Sequence, residues 1–90
     1  MIIDNKQHMS VGAKIIYRDE VCSVVIFAPV GEEYVAILHV EGTANRFVVA
    51  KNIKTDELGQ YAFVVVCEEQ NICNAFRKYL ECQKNCNNKD

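Results

Sequence analysis

The segment Val21–Ala28 (VCSVVIFA) is apolar at both parities of an extended chain. Val21, Ser23, Val25 and Phe27 fall on one face, and Cys22, Val24, Ile26 and Ala28 on the other. An antiparallel strand with one wet face alternates apolar with polar instead. Tyr61–Cys67 repeats the feature, with Tyr61, Phe63 and Val65 opposite Ala62, Val64 and Val66. Tyr34–Val40 sets Tyr34, Ala36, Leu38 and Val40 against Val35, Ile37 and His39. A fold built from such segments must keep water from both sides of its sheet.

Five stretches carry strand chemistry: Ala13–Arg18, Val21–Ala28, Tyr34–Val40, Arg46–Ala50 and Tyr61–Cys67. Turn signals at Asp19-Glu20, Pro29–Glu32 and Glu41–Asn45 separate the first four, and connections this short predict an antiparallel meander. Lys51–Gly59 reads as a polar loop. From Glu69 to Gln83 the period changes, with Ile72, Phe76, Tyr79 and Leu80 at helical spacing. Glu68 and Glu69 precede that run, while Arg77, Lys78 and Lys84 lie further on, an order that suits the helix dipole. The expected fold is α+β: a four- to five-stranded antiparallel sheet, open or curled toward a barrel, followed by one C-terminal helix. The expected domain covers 11–83, with 1–10 and 84–90 as flexible polar ends.

A helix of about fifteen residues is only about 22 Å long and 10 Å wide, so it shelters two or three strands of one face. The remaining apolar strand surface exceeds what soluble monomers leave wet. Either the sheet curls into a small barrel, or a second copy packs on it with two-fold symmetry. The sequence predicts self-association as a homodimer combined with partial curling, with Phe76, Tyr79 and Leu80 at the interface. A monomeric barrel is the alternative.

Ninety residues with half of them apolar allow one domain, and 24% charged residues exclude a disordered chain. A net charge of −2 argues against a nucleic-acid binder. No apolar run reaches the roughly 18–20 residues of a membrane span, and the first ten residues lack the pattern of a secretory signal. Five cysteines without such a signal read as free thiols in a reducing cytoplasm.

No residue constellation predicts catalysis, a cofactor or a metal. Cys82 and Cys86 share a helix face but lack the four ligands of a structural zinc site. His39 beside Cys22 or Cys67 would be a nucleophile–base pair, although a mid-strand histidine reads first as structural. The acidic pairs Asp19-Glu20, Glu32-Glu33 and Glu68-Glu69 fall at turns or the helix start and read as solvated surface. The one positive candidate is an anion site. Arg46 and Arg77 would fork a phosphate while Tyr61 or Tyr79 stacks a base, in a pocket that a dimer junction would supply.

The runs RFVVAKNI and GQYAFVVVCEEQNICNAFRKYL, spanning Arg46 to Leu80, resemble a pattern in small phage-encoded proteins: a strand ending in a Val-Val-Ala triplet, a Gly-x-Tyr and an Ala-Phe in a closing helix. In this chain Gly59, Tyr61, Ala75 and Phe76 carry it, in structural roles. The resemblance to phage anti-defence proteins implies a non-enzymatic inhibitor. It would block a host immune effector such as a CRISPR complex, or sequester a nucleotide signal as anti-Thoeris sponges do. VGAKIIYRDEVCSVVIF is similar to the opening hairpin of SH3-like barrels, which implies instead an adaptor for a peptide or RNA.

Overall fold

A computed structural model describes residues 9–87, with side chains through residue 83. Five strands follow in chain order: β1 (Lys14–Tyr17), β2 (Glu20–Val30), β3 (Glu33–Val40), β4 (Phe47–Thr55) and β5 (Tyr61–Glu69). The helix α1 (Ile72–Asn87) closes the chain. Sheet order equals chain order, and every neighbouring pair is antiparallel. This is the expected α+β meander, and it is curled. Tyr17 on β1 and Phe63 on β5 belong to opposite edges, yet their ring centroids lie 6.4 Å apart. A flat sheet would hold its first and fifth strands about 19 Å apart, four spacings of about 4.8 Å. The sheet is a half-barrel.

The curl divides the apolar residues into two cores. Its concave side buries Met9, Ile15, Cys22, Val24, Ala36, Leu38, Val40, Val48, Ala50 and Ile53, ringed by half-buried Tyr17, Phe27, Tyr34, Tyr61 and Phe63. The other side buries Val35, Ile37 and Val49 against Ala75 and Tyr79 of α1. The two parities of β3 separate as expected, with Ala36, Leu38 and Val40 concave and Val35 and Ile37 under the helix. In β2 the expected parity breaks. The register shifts between Val24 and Ile26, so Phe27 rejoins the concave core while Val25 is left exposed. Such bulges bend a strand and sharpen its twist; others interrupt the β3–β4 and β4–β5 ladders.

Local chemistry explains where the elements end. Arg18 and Asp19 join β1 to β2 at φ 53° and 65°, the paired left-handed conformation of a two-residue type I′ loop. Gly31 at φ 65° opens the equally short β2–β3 loop, where a Cβ would be strained. Pro29 does not start that turn. It lies inside β2 opposite Tyr34, beyond the part of β2 that β1 covers, so its missing N–H costs no ladder bond.

The reading of Lys51–Gly59 as a loop is corrected as well, because β4 continues to Thr55. Asn52 bulges out at φ 55° and donates from Nδ2 to Glu33 Oε1 at 2.7 Å, which leaves Ile53 buried and Lys54 exposed. Glu68 and Glu69 belong to β5, and no acidic residue stands in the first turn of α1. Asn71 caps that helix instead, its Oδ1 accepting from the Cys73 backbone N–H at 2.7 Å.

The folded unit overruns both expected boundaries. Met9 is buried before residue 11, and α1 runs to Asn87, past 83. The remainder of the ends expected to be flexible, 1–8 and 88–90, lies outside the described residues.

Asp19 holds a left-handed conformation that costs an L-residue about 1 kcal/mol and glycine almost nothing. Asp19→Gly is therefore expected to raise stability by about 0.5–1 kcal/mol, read as a higher urea midpoint with an unchanged m-value. An unchanged or lower midpoint would refute the turn assignment.

Candidate functional site

Arg46, expected to fork a phosphate, is engaged elsewhere. Its Nη1 donates to Glu20 Oε2 at 2.8 Å, and its Nη2 lies 3.5 Å from Glu68 Oε1. Glu20 opens β2 and Glu68 is the penultimate residue of β5, strands that are not sheet neighbours, so the guanidinium clasps one end of the half-barrel. The hydrogen bond from Arg46 holds the Glu20 carboxyl below the usual carboxylate range, and the same bond raises Arg46. Each partner is substantially solvated, so this clasp acts more through geometry than through energy.

The other three members of the expected anion site are scattered. Tyr79, on α1, is buried against the sheet at 3% exposure, and Tyr61 packs against the concave core on the opposite face of the sheet. Desolvation of Tyr79 pushes its phenol above the usual value. Arg77 is exposed on α1 and makes no ion pair with the described residues. The four do not converge on one ligand. Burial also corrects the expected interface trio, since it removes Tyr79 from any surface and leaves Phe76 and Leu80 there.

The nucleophile–base pair of Cys22 and His39 is not assembled. Cys22 faces the concave core, while His39, opposite Ser23, faces the other way. His39 Nε2 lies 2.8 Å from the Thr43 carbonyl oxygen, to which it donates as the Nε2–H tautomer, and its ring packs 5.2 Å from Phe47. Desolvation raises the thiols of Cys22 and Cys67 above their ordinary value, which lowers their thiolate fraction at neutral pH. Among the described residues no three His, Cys, Asp or Glu side chains cluster as metal ligands; Cys86 of the Cys82–Cys86 pair lies outside the described side chains. No described helix is long and apolar enough to cross a membrane.

What the fold does assemble is an apolar groove of about 440 Å³ between α1 and β2. Val25, Ile26 and Ile37 form its floor and one wall, and Ile72, Cys73 and Phe76 form the other. Phe76, at 42% exposure, stacks on buried Tyr79 with centroids 5.8 Å apart, so its ring is held from below while one face stays open. Ile72 and Leu80, one turn to either side of Phe76, extend the apolar line along the helix. Arg77 stands beside it as an exposed cation. The sequence marked Phe76, Leu80 and Arg77; it missed Val25 and Ile72 as wall residues. Val25 shares the outward parity of Val21 and Ser23, and the β2 bulge sets Ile26 beside it on the helix side, which no local pattern announces.

No family model, curated protein or solved structure matches the chain.

The Glu20 pKa is lower in the folded chain than in the unfolded one. Its contribution is thus present above the ordinary glutamate value of 4.5 and is lost as pH falls through the folded value. Glu41, held low by Lys14 and then by Ser23, acts in the same direction. Thermal melts between neutral and acid pH are expected to fall on the acid side, and Arg46→Met should flatten part of that fall. Identical acid profiles for the two proteins would reject the clasp. Exposed Cys73 is expected to react with a disulfide reagent in the native state, while Cys22 reacts only after unfolding; equal native rates would contradict the burial of Cys22.

Proposed function

We propose that this chain is a non-enzymatic binding protein of inhibitory type, of the kind phages and mobile elements encode against host defence, and that it blocks a protein effector by docking through the α1–β2 groove. The observation that carries this reading is the exposed, pre-stacked Phe76 ring in an apolar groove. Aromatic anchors surrounded by apolar contacts supply most of the binding energy at protein interfaces. The fitting partner presents an apolar side chain to the groove and a carboxylate to Arg77. A nucleotide is the less supported target, because Arg46 is committed to Glu20 and Glu68 and the groove walls bring no group that would hold a phosphate.

A second reading has its own observation. The half-barrel exposes the edges of Tyr17, Phe27, Tyr34, Tyr61 and Phe63 on its concave side, and an SH3-like adaptor would hold a peptide on aromatics of this kind. The net charge of −2 weighs against RNA as that ligand.

Placing a photoreactive phenylalanine analogue at position 76 or at position 61 separates the two. Effector docking predicts a protein crosslink from 76 in cell extract, competed away by unlabelled wild type but not by Phe76→Glu. A competed crosslink from 61 alone, to a protein other than a second copy of this chain, would overturn the groove reading in favour of the adaptor.

A further inference from the structure

The two edges of the half-barrel are protected very differently. β1 is four residues long and carries Lys14, whose ammonium pairs with Glu41. β5 is nine residues long, and among the described residues only β4 pairs with it. An edge strand offers a row of unpaired N–H and C=O groups, and proteins usually blunt it with shortness, lysine or proline. Between Tyr61 and Cys67 the β5 edge has no charge, no proline and only β-branched, aromatic or small side chains. Val64 and Val66 are exposed on its outer face, at 49% and 37%. The β1 edge does not close it off. A groove of about 500 Å³ lies between Lys14–Ile16 and Gly59–Tyr61, and no ladder joins the two strands.

From this edge we infer that two copies of the chain associate by antiparallel pairing of β5 with β5, about a two-fold axis at Val64, which makes one continuous ten-stranded sheet. The register itself argues for a second copy as the occupant. Centred on Val64, the pairing sets Val64 against its own copy on the outer side and Phe63 against Val65 on the concave side, so apolar residues meet on both faces. The segment Phe63–Val65 is thus its own complement. Beyond it the ladder ends without conflict. A bulge lies between the Val49–Cys67 and Ala50–Val65 pairs, and Cys67 turns toward the helix-side core. The two glutamates that follow stand outside the pairing, where like charges do not face one another. The homodimer expected at Phe76 and Leu80 is thereby moved to a different edge, and the α1–β2 groove stays open in each copy.

Sedimentation velocity over a range of micromolar concentrations tests the pairing. Wild type is expected to shift from monomer to dimer as concentration rises, with β5 amides gaining hydrogen-exchange protection in step. Val64→Lys puts two like charges on the axis at a solvent-exposed position. It should remain monomeric throughout with an unchanged circular dichroism spectrum, and Phe76→Glu should dimerise like wild type. If Val64→Lys fails to fold, Ala62→Lys serves as the same probe. A wild type that stays monomeric at every concentration would overturn the inference. So would a dimer that survives the lysine, or one abolished by Phe76→Glu. None of these outcomes bears on the photocrosslinking test of the groove.

Discussion

Burying both sides of a single sheet is the constraint on which this structure depends. The strands bring apolar side chains to each face, and one sixteen-residue helix covers only part of one of them. Curling resolves the conflict by turning one face in on itself, so that ten residues from the N-terminal segment and four strands become a core no helix touches. The helix then serves the convex side, where Ala75 and Tyr79 cover Val35, Ile37 and Val49. The bulges follow from the same demand. A strand that must curl gains twist where one extra residue interrupts its ladder, and β2 and β4 do so at Val25 and Asn52.

Charge has a secondary part in this fold. Arg46 spans from β2 to β5 at one end of the curl, and Lys14, Ser23 and Glu41 form a second polar cluster on the surface. These side chains are used in holding strands together, and that removes them from ligand recognition. The recognition surfaces proposed above are chiefly apolar: the groove under Phe76, with Arg77 beside it, and the β5 edge that no described strand pairs. Apolar surface is suited to protein partners, because burying it gains free energy without requiring an exact match of charges.

Much of the architecture was legible in the order of residues. The β-branched and aromatic composition of five segments and the period near 3.6 after Asn71 specify strands and helix, and the short spacing of turns specifies a meander. The need for curl or company was legible too, from the count of apolar positions against the width of one helix. The misread places share a physical character. Pro29 looked like a turn because its tolerance inside β2 depends on β1 being short. Lys51–Thr55 looked like a loop because Asn52 breaks the alternation that Ile53 would otherwise reveal. Glu68 and Glu69 looked like a helix start because charge alone does not separate the end of a strand from the beginning of a helix.

The sequence by itself determined the classes of element, their order and the two-sided burial problem, since these rest on periodicity and short-range turn chemistry. Tertiary structure alone decided which aromatics face which core, that Tyr79 is buried while Phe76 is open, and that Arg46 is clasped between Glu20 and Glu68. Those outcomes depend on bulge positions and on contacts between strands far apart in the chain. A one-residue slip in a ladder sends each side chain beyond it to the other face, and no local window of sequence records that slip.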